Sequence, residues 1–222
     1  MGAFLPCAAS SLVSGVLGSA DRWVEAARTR VSVHLETGSP DVPIVCVGLP
    51  EAIRLPYGVV VEALPDGPVS LAPRRWWRPD RPAGLAPPAP ARIARWTRPL
   101  PPPDPARLLG RGAGLTPDGD DVLAGLLVAA AAVDDPRLGE WRAATRSALA
   151  ARRTTAVSVG MLHAALDGWS APPLAGAVRA LCGPDDPTPA VDALLAVGQS
   201  SGRSLLDGVL YVLASQPWEG AA

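Results

Sequence analysis

Apolar and polar positions change period twice along this chain. Residues 12–28 carry Leu12, Val16, Trp23 and Val24 at helix-like intervals, which predicts a short helix with Asp21 as a capping residue. The period then becomes two. Val31, Val33 and Leu35 alternate with Ser32, His34 and Glu36, as in a half-buried strand. Thr37 to Asp41 reads as a turn, Pro43–Leu49 as a second strand and Gly58–Leu64 as a third. A turn at Pro65-Asp66-Gly67 precedes a last strand from Val69 to Leu71. Short strands with Pro/Gly turns predict an antiparallel β unit over residues 1–78.

From Pro79 to Pro105 there are ten prolines. Proline lacks the amide hydrogen and clashes with the preceding turn, so no regular helix or central strand is expected there. Residues 79–108 therefore read as a linker or wrapping segment. Beyond it the period is helical. Val122 to Val133 has no polar side chain, and a helix apolar on every side belongs inside a domain. At twelve residues the run is shorter than the ~20 needed to span a bilayer. Five further helices are predicted: Pro136–Arg152, Thr154–Leu166, Leu174–Leu181, Val191–Val197 and Gly202–Ala214, the last ending before Pro217. Gly168 and Gly183 serve as stops, and Thr188-Pro189 as a cap with a first-turn proline. The expected class is α+β: an antiparallel β-rich unit, then a compact helical bundle over 109–222 built around a buried central helix.

Composition adds three points. At 48% hydrophobic with net charge −1, the chain can build a core. All its basic residues are arginine, and it has no lysine or asparagine, which looks like genome-wide nucleotide bias and weakens inference from any single Arg or Ala. Cys7, Cys46 and Cys182 are widely spaced, which argues for a reducing compartment and against a disulfide framework or zinc site. The segment MGAFLPCAASSLVSGVLGSA lacks a charged start and a small-residue cleavage site, so a cytoplasmic protein without membrane association is expected. Between Arg74 and Arg111 nine arginines face only Asp80 and Asp104, with Trp76, Trp77 and Trp96 interleaved. Arginine with aromatics can stack on nucleic acid. A whole-chain pI of about 6.1 favours the plainer view, in which tryptophan packs the segment down and arginine keeps it soluble.

Candidate chemistry gathers where glycine-rich loops open helices. In Leu109–Val133 the glycines at 110, 112 and 114 let backbone approach a ligand. The free N–H groups and dipole of the helix start favour an anion. Asp120 and Asp121 in the first turn are candidate catalytic residues and candidate ligands for a divalent cation such as Mg²⁺. The competing structural account is that Asp118 caps the helix and the acids complement its dipole. The loop is neither a P-loop, since no Gly-Lys-Ser/Thr follows, nor a dinucleotide fingerprint, since no strand precedes it. A second such start is Val197–Ser204, with Ser200, Ser201, Gly202 and Arg203, whose guanidinium could fork onto an anion. The third is Arg153-Thr154-Thr155 with Ser158, although hydroxyls so placed more often bond the preceding turn. Candidate ligand-binding positions are Gly112, Gly114, Thr116, Gly119, Thr154, Ser158, Ser200, Ser201, Gly202 and Arg203. His34 and His163 read as ordinary residues, and Asp185-Asp186 as a solvated loop.

LGRGAGLTPDGDDVLAG resembles the G-x-G-x-GLTP-S-GDD-x-L-x-G signature of the AllH-type family, which includes a subunit of oxamate carbamoyltransferase in allantoin breakdown. The resemblance extends to the Thr/Ser helix at Thr154–Ala165 and to VGQSSGRSLLDG at Val197–Gly208. It departs at Asp118, where serine is usual, at Gln199, where histidine is frequent, and at Ser204, where aspartate is frequent. The resemblance implies a β-rich N-terminal part, a helical C-terminal part, and a carbamoyltransferase-type subunit working with partner subunits. Its small anionic substrate would be carbamoyl phosphate or an oxamate-like carboxylate. The alternative from a different class is a non-catalytic metabolite-binding or regulatory module.

Overall fold

A computed structural model describes residues 4–67, 70–151 and 154–215. Val69, Arg152, Arg153 and Pro217, each used in the sequence analysis, lie outside the described residues. The β part is one six-stranded sheet of β1 (Phe4–Ser10), β2 (Val24–Arg28), β3 (Ser32–Glu36), β4 (Ile44–Gly48), β5 (Gly58–Val60) and β6 (Ser70–Trp77). Spatial order is β2-β3-β4-β5-β1-β6. The α+β class is as expected. The sheet, however, is mixed rather than wholly antiparallel: β4 with β5 and β1 with β6 run parallel. Turn residues specify hairpins between neighbouring strands and carry no information about pairings closed by long connections.

The helix expected over 12–28 is absent. Two 3₁₀ turns, Ser11–Val13 and Leu17–Arg22, and strand β2 occupy it instead. Gly15 and Gly18 each cost a helix ~1 kcal/mol, and pairing with β3 claims Val24 to Arg28. Strand β1 was concealed by small residues and Pro6. Pro6 is tolerated because β5 reaches only Ala8 and Ala9, leaving it bonded on the β6 side alone. Pro73 lies in β6, an edge strand, next to a register irregularity at Cys7/Ala8.

The proline segment does hold helix, against expectation, in two four-residue pieces: α1 (Pro90–Ile93) and α2 (Pro105–Leu108). Both have proline in the first turn, where its missing N–H would be unpaired anyway. The segment wraps the helices rather than hanging free. Ile93 and Leu109 are buried in their core, and Arg92 donates to the Ala180 and Leu181 carbonyls at 3.0 Å, satisfying a helix C-terminus.

The remaining helices are α3 (Asp118–Ala132), α4 (Leu138–Ala151), α5 (Ala156–Leu166), α6 (Pro172–Cys182), α7 (Thr188–Leu195) and α8 (Ser201–Ala214). The central helix α3 is buried on nearly every side, as its apolar run requires. It crosses α8 at backbone contact. A Cβ on Gly125 would lie 2.0 Å from the Leu205 carbonyl oxygen, and one on Gly208 2.1 Å from that of Val122. Thr155, not Thr154, caps α5, accepting from the Ser158 amide at 3.1 Å. Before α7, the capping carboxylate is Asp186, which accepts from the Thr188 amide at 3.0 Å. Helix α5 joins the two cores: Leu162, Ala165 and Leu166 pack among helices, while Ala164 packs with the sheet. Among the described residues, no helix is long and apolar enough to cross a membrane.

Candidate functional site at three helix starts

The starts of α3, α5 and α8 meet, tied by hydroxyls to the three aspartates of α3's first turn. Asp118 does not cap the helix. Its Oδ1 accepts from Ser200 Oγ at 2.6 Å and from Ser204 Oγ at 3.3 Å, joining α3 to α8. Asp120 is fully buried, and its two oxygens are taken by the Gly110 amide at 2.7 Å and the Thr154 hydroxyl. Asp121 is also buried, accepting from Thr116 Oγ1 at 3.3 Å. Thr116 Oγ1 lies 3.0 Å from Ser201 Oγ, and Thr155 donates to the Leu115 carbonyl. The loop 112–116 is therefore held from both neighbouring helix starts.

Burial decides the electrostatics of Asp121. Loss of solvent raises its pKa to about 7, and the nearby charges of Asp118 and Asp120 push the same way, against hydrogen bonds from Ser201 and Thr116. A carboxyl titrating there can both take and return a proton near neutral pH. It also faces open space. A cavity of about 620 Å³ lies between the sheet and the helices, within the ~300–1,000 Å³ range of small-molecule sites. Asp121, Gly114, Thr116, Ser200 and Ser201 line it, together with Gln199.

The other expected residues do different work. Gly112 has φ 122°, and a Cβ there would meet the Asp118 nitrogen at 2.7 Å, so it permits the turn rather than lining the cavity. Gly119 and Gly202 are close-packing glycines: a Cβ on either would come within 2.1 Å of the Leu108 or Leu194 carbonyl oxygen, respectively. Gly119, Asp120 and Asp121 also donate their amides internally, to Arg111 and Pro117 carbonyls, so these N–H groups are not an open anion cradle. Ser158 is buried in α5 without a hydrogen-bond partner for its hydroxyl among the described residues. Arg203 is turned away. It pairs with Asp207 at 2.6 Å, donates to the Trp96 carbonyl at 3.1 Å, and shares Asp207 with Arg98.

Adjacent helical residues point ~100° apart, which is why Asp121 reaches the cavity and Asp120 does not. As a carboxylate pair for Mg²⁺ the two do not fit, since Asp121 lines the cavity while Asp120 has no exposure to it or to solvent and holds protein donors on both oxygens. Among the described residues, no group of three or more His, Cys, Asp or Glu side chains is placed to hold a metal.

The sheet supplies a wall that local sequence patterns did not reveal. His34, Cys46 and Tyr57 line the cavity. Burial lowers the His34 pKa and raises those of Cys46 and Tyr57 to about 12, so all three are uncharged at neutral pH. His34 and Cys46 pair across β3 and β4 on the side that the strand alternation read as polar, which the helices cover, and Tyr57 immediately precedes β5.

No solved structure matches the chain. The helical half, with the loop, Asp121 and all three helix starts, matches a known family: residues 108–213 fit the model described as oxamate carbamoyltransferase subunit AllH.

Proposed function

We propose that this chain is a subunit of a carbamoyltransferase and that the cavity beside Asp121 holds the substrate that accepts the carbamoyl group. The family match over 108–213 supports the reaction class. The observation that carries the site is a buried carboxyl with pKa near 7 on the wall of a cavity, beside the paired hydroxyls of Thr116 and Ser201.

Of the two anions suggested by the resemblance, the oxamate-like carboxylate suits this cavity better than carbamoyl phosphate. Among the described residues no arginine lines it, and three aspartates stand at its helix starts. A phosphate dianion would meet only neutral donors there, whereas a monoanion with an amide group can use Thr116, Ser201 and Gln199 as hydrogen-bond partners. In carbamoyl transfer the acceptor nitrogen bonds to the carbamoyl carbon, the leaving group departs with its electron pair, and the nitrogen sheds a proton. Asp121 in its ionised form takes that proton. Asp120, Asp118 and Gly112 hold the loop so that Asp121 and Thr116 stay in place, and partner subunits supply the rest of the reaction.

The test is oxamate binding by calorimetry, with carbamoyl transfer measured in the complex reconstituted from its subunits. Asp121→Asn should lower turnover about 100-fold or more, the usual contribution of a positioned general base. Turnover unchanged by that substitution would sink the reading and leave a metabolite-binding module. Oxamate binding should also survive chelation of divalent cations, because Asp120 is not free to form a metal site.

A further inference from the structure

The cavity is too large for the ligand just proposed. At about 620 Å³ it has room for roughly twenty waters at ~30 Å³ each, whereas oxamate has six heavy atoms and would replace only a few of them. The surplus is apolar. Beyond the helix starts the walls are formed by side chains such as Ile44, Met161, Trp169 and Leu174. The titratable groups of the sheet wall, His34, Cys46 and Tyr57, are held uncharged by burial. The rim is apolar as well. Ile53 and Leu115 both line the cavity, yet are 42% and 44% exposed, among the few large hydrophobic side chains left in solvent. Single exposed apolar residues need no explanation. Two that line one cavity with apolar walls carry its apolar lining out into solvent, where water covers it only at a cost.

We infer that the site takes an amphipathic small molecule: a carboxylate- or amide-bearing head placed against Asp121, Thr116 and Ser201, joined to an uncharged apolar body that fills the space between sheet and helices and passes Ile53. This rests on the proposed placement of the head, and it changes the substrate class from a bare small ion to a substituted one. The matching family region ends short of the sheet, so Ile44, Ile53 and Tyr57 of the body's wall lie outside it. Part of the wall that limits substrate size is thereby supplied by a stretch that the family match does not cover, beside Met161, Trp169 and Leu174 within it.

The experiment compares oxamate, N-butyloxamate and butyramide by calorimetry on the full chain, on Ile53→Glu and on Asp121→Asn. Ile53 is partly exposed, so its substitution does not threaten folding. N-butyloxamate should bind at least tenfold more tightly than oxamate, since each buried CH₂ is worth about fourfold. Ile53→Glu should erase that gain while leaving oxamate unchanged. Equal affinity for oxamate and N-butyloxamate, or no binding of either, would overturn the inference. Should N-butyloxamate bind no better than butyramide and ignore Asp121→Asn while remaining sensitive to Ile53→Glu, the apolar body stands and the head placement at Asp121 fails.

Discussion

Asp120 and Asp121 are neighbours with the same side chain, and the fold separates their chemistry completely. Asp120 is an anchor: its carboxylate joins the Gly110 backbone to the Thr154 hydroxyl with no exposure to solvent. Removing it strands two half-buried donors at once, each worth up to ~1–3 kcal/mol when left unpaired. Asp120→Ala should therefore lower unfolding free energy by about 2–4 kcal/mol in urea titrations, and Thr154→Val should cost less because it leaves the Gly110 bond intact. Asp121 behaves in the opposite way. Its folded pKa is raised above the unfolded value, from 3.8 to about 7. Between those values the folded state holds more protons than the unfolded one, so stability falls as pH rises from about 4 to about 7, by no more than ~1.4 kcal/mol per pH unit. Asp121→Asn should flatten that slope and stabilise the protein at pH 8, with little change at pH 4. Thermal melts across this range check it. A variant that loses stability at pH 8 would show that the charged form is favoured in the fold.

At the scale of elements, two signature glycines serve helix packing rather than ligand binding. Gly125 and Gly208 sit opposite each other's helices, so α3 and α8 touch backbone to backbone. That contact brings the α8 start, with Ser200 and Ser201, over the α3 start. Gly125→Ala or Gly208→Ala must push the helices apart, and overpacking typically costs ~1–3 kcal/mol, more where the obstacle is backbone. We expect about 3 kcal/mol or more for either, and a weaker Thr116–Ser201 contact visible as reduced oxamate affinity. The helix positions themselves were legible in the apolar periodicity and in Gly168 and Gly183. The role of these glycines was not, because a glycine within a helix reads locally only as a weak point. The same limit applies to Arg203. Its guanidinium looked ready for an anion, yet the buried Asp207 four residues on claims it together with Arg98.

For the whole molecule, α5 is the common wall. Its sheet side approaches β4 closely: a Cβ on Gly160 would lie 3.0 Å from the Ile44 Cβ. Its other side packs in the helical core, and the cavity lies beside it. Shared burial of this kind couples the two halves. Unfolding should follow a single transition, with Trp23 in the sheet core and Trp141 in the helical core reporting coincident midpoints. Two separated transitions would show that the halves fold independently. Gly160→Leu should lower both midpoints together and narrow the cavity, weakening N-butyloxamate more than oxamate.

Local features were readable in the order of the residues alone. Periodicity placed β3, β4 and six helices. The unbroken apolar run from Val122 to Val133 required a buried central helix, and the glycines and acids before it marked where a polar site could form. These depend on backbone sterics and on burial of a pattern, both readable within a few turns of chain. Tertiary structure decided everything that depends on distance between remote residues. It made the sheet mixed, turned 12–28 into a strand and 3₁₀ turns, and gave Asp121 a cavity while closing Asp120 off. It also laid the uncharged face of β3 and β4 opposite the three helix starts. A pKa near 7 and a volume of about 620 Å³ are properties of that juxtaposition, because desolvation and empty space exist only where segments far apart in sequence enclose them.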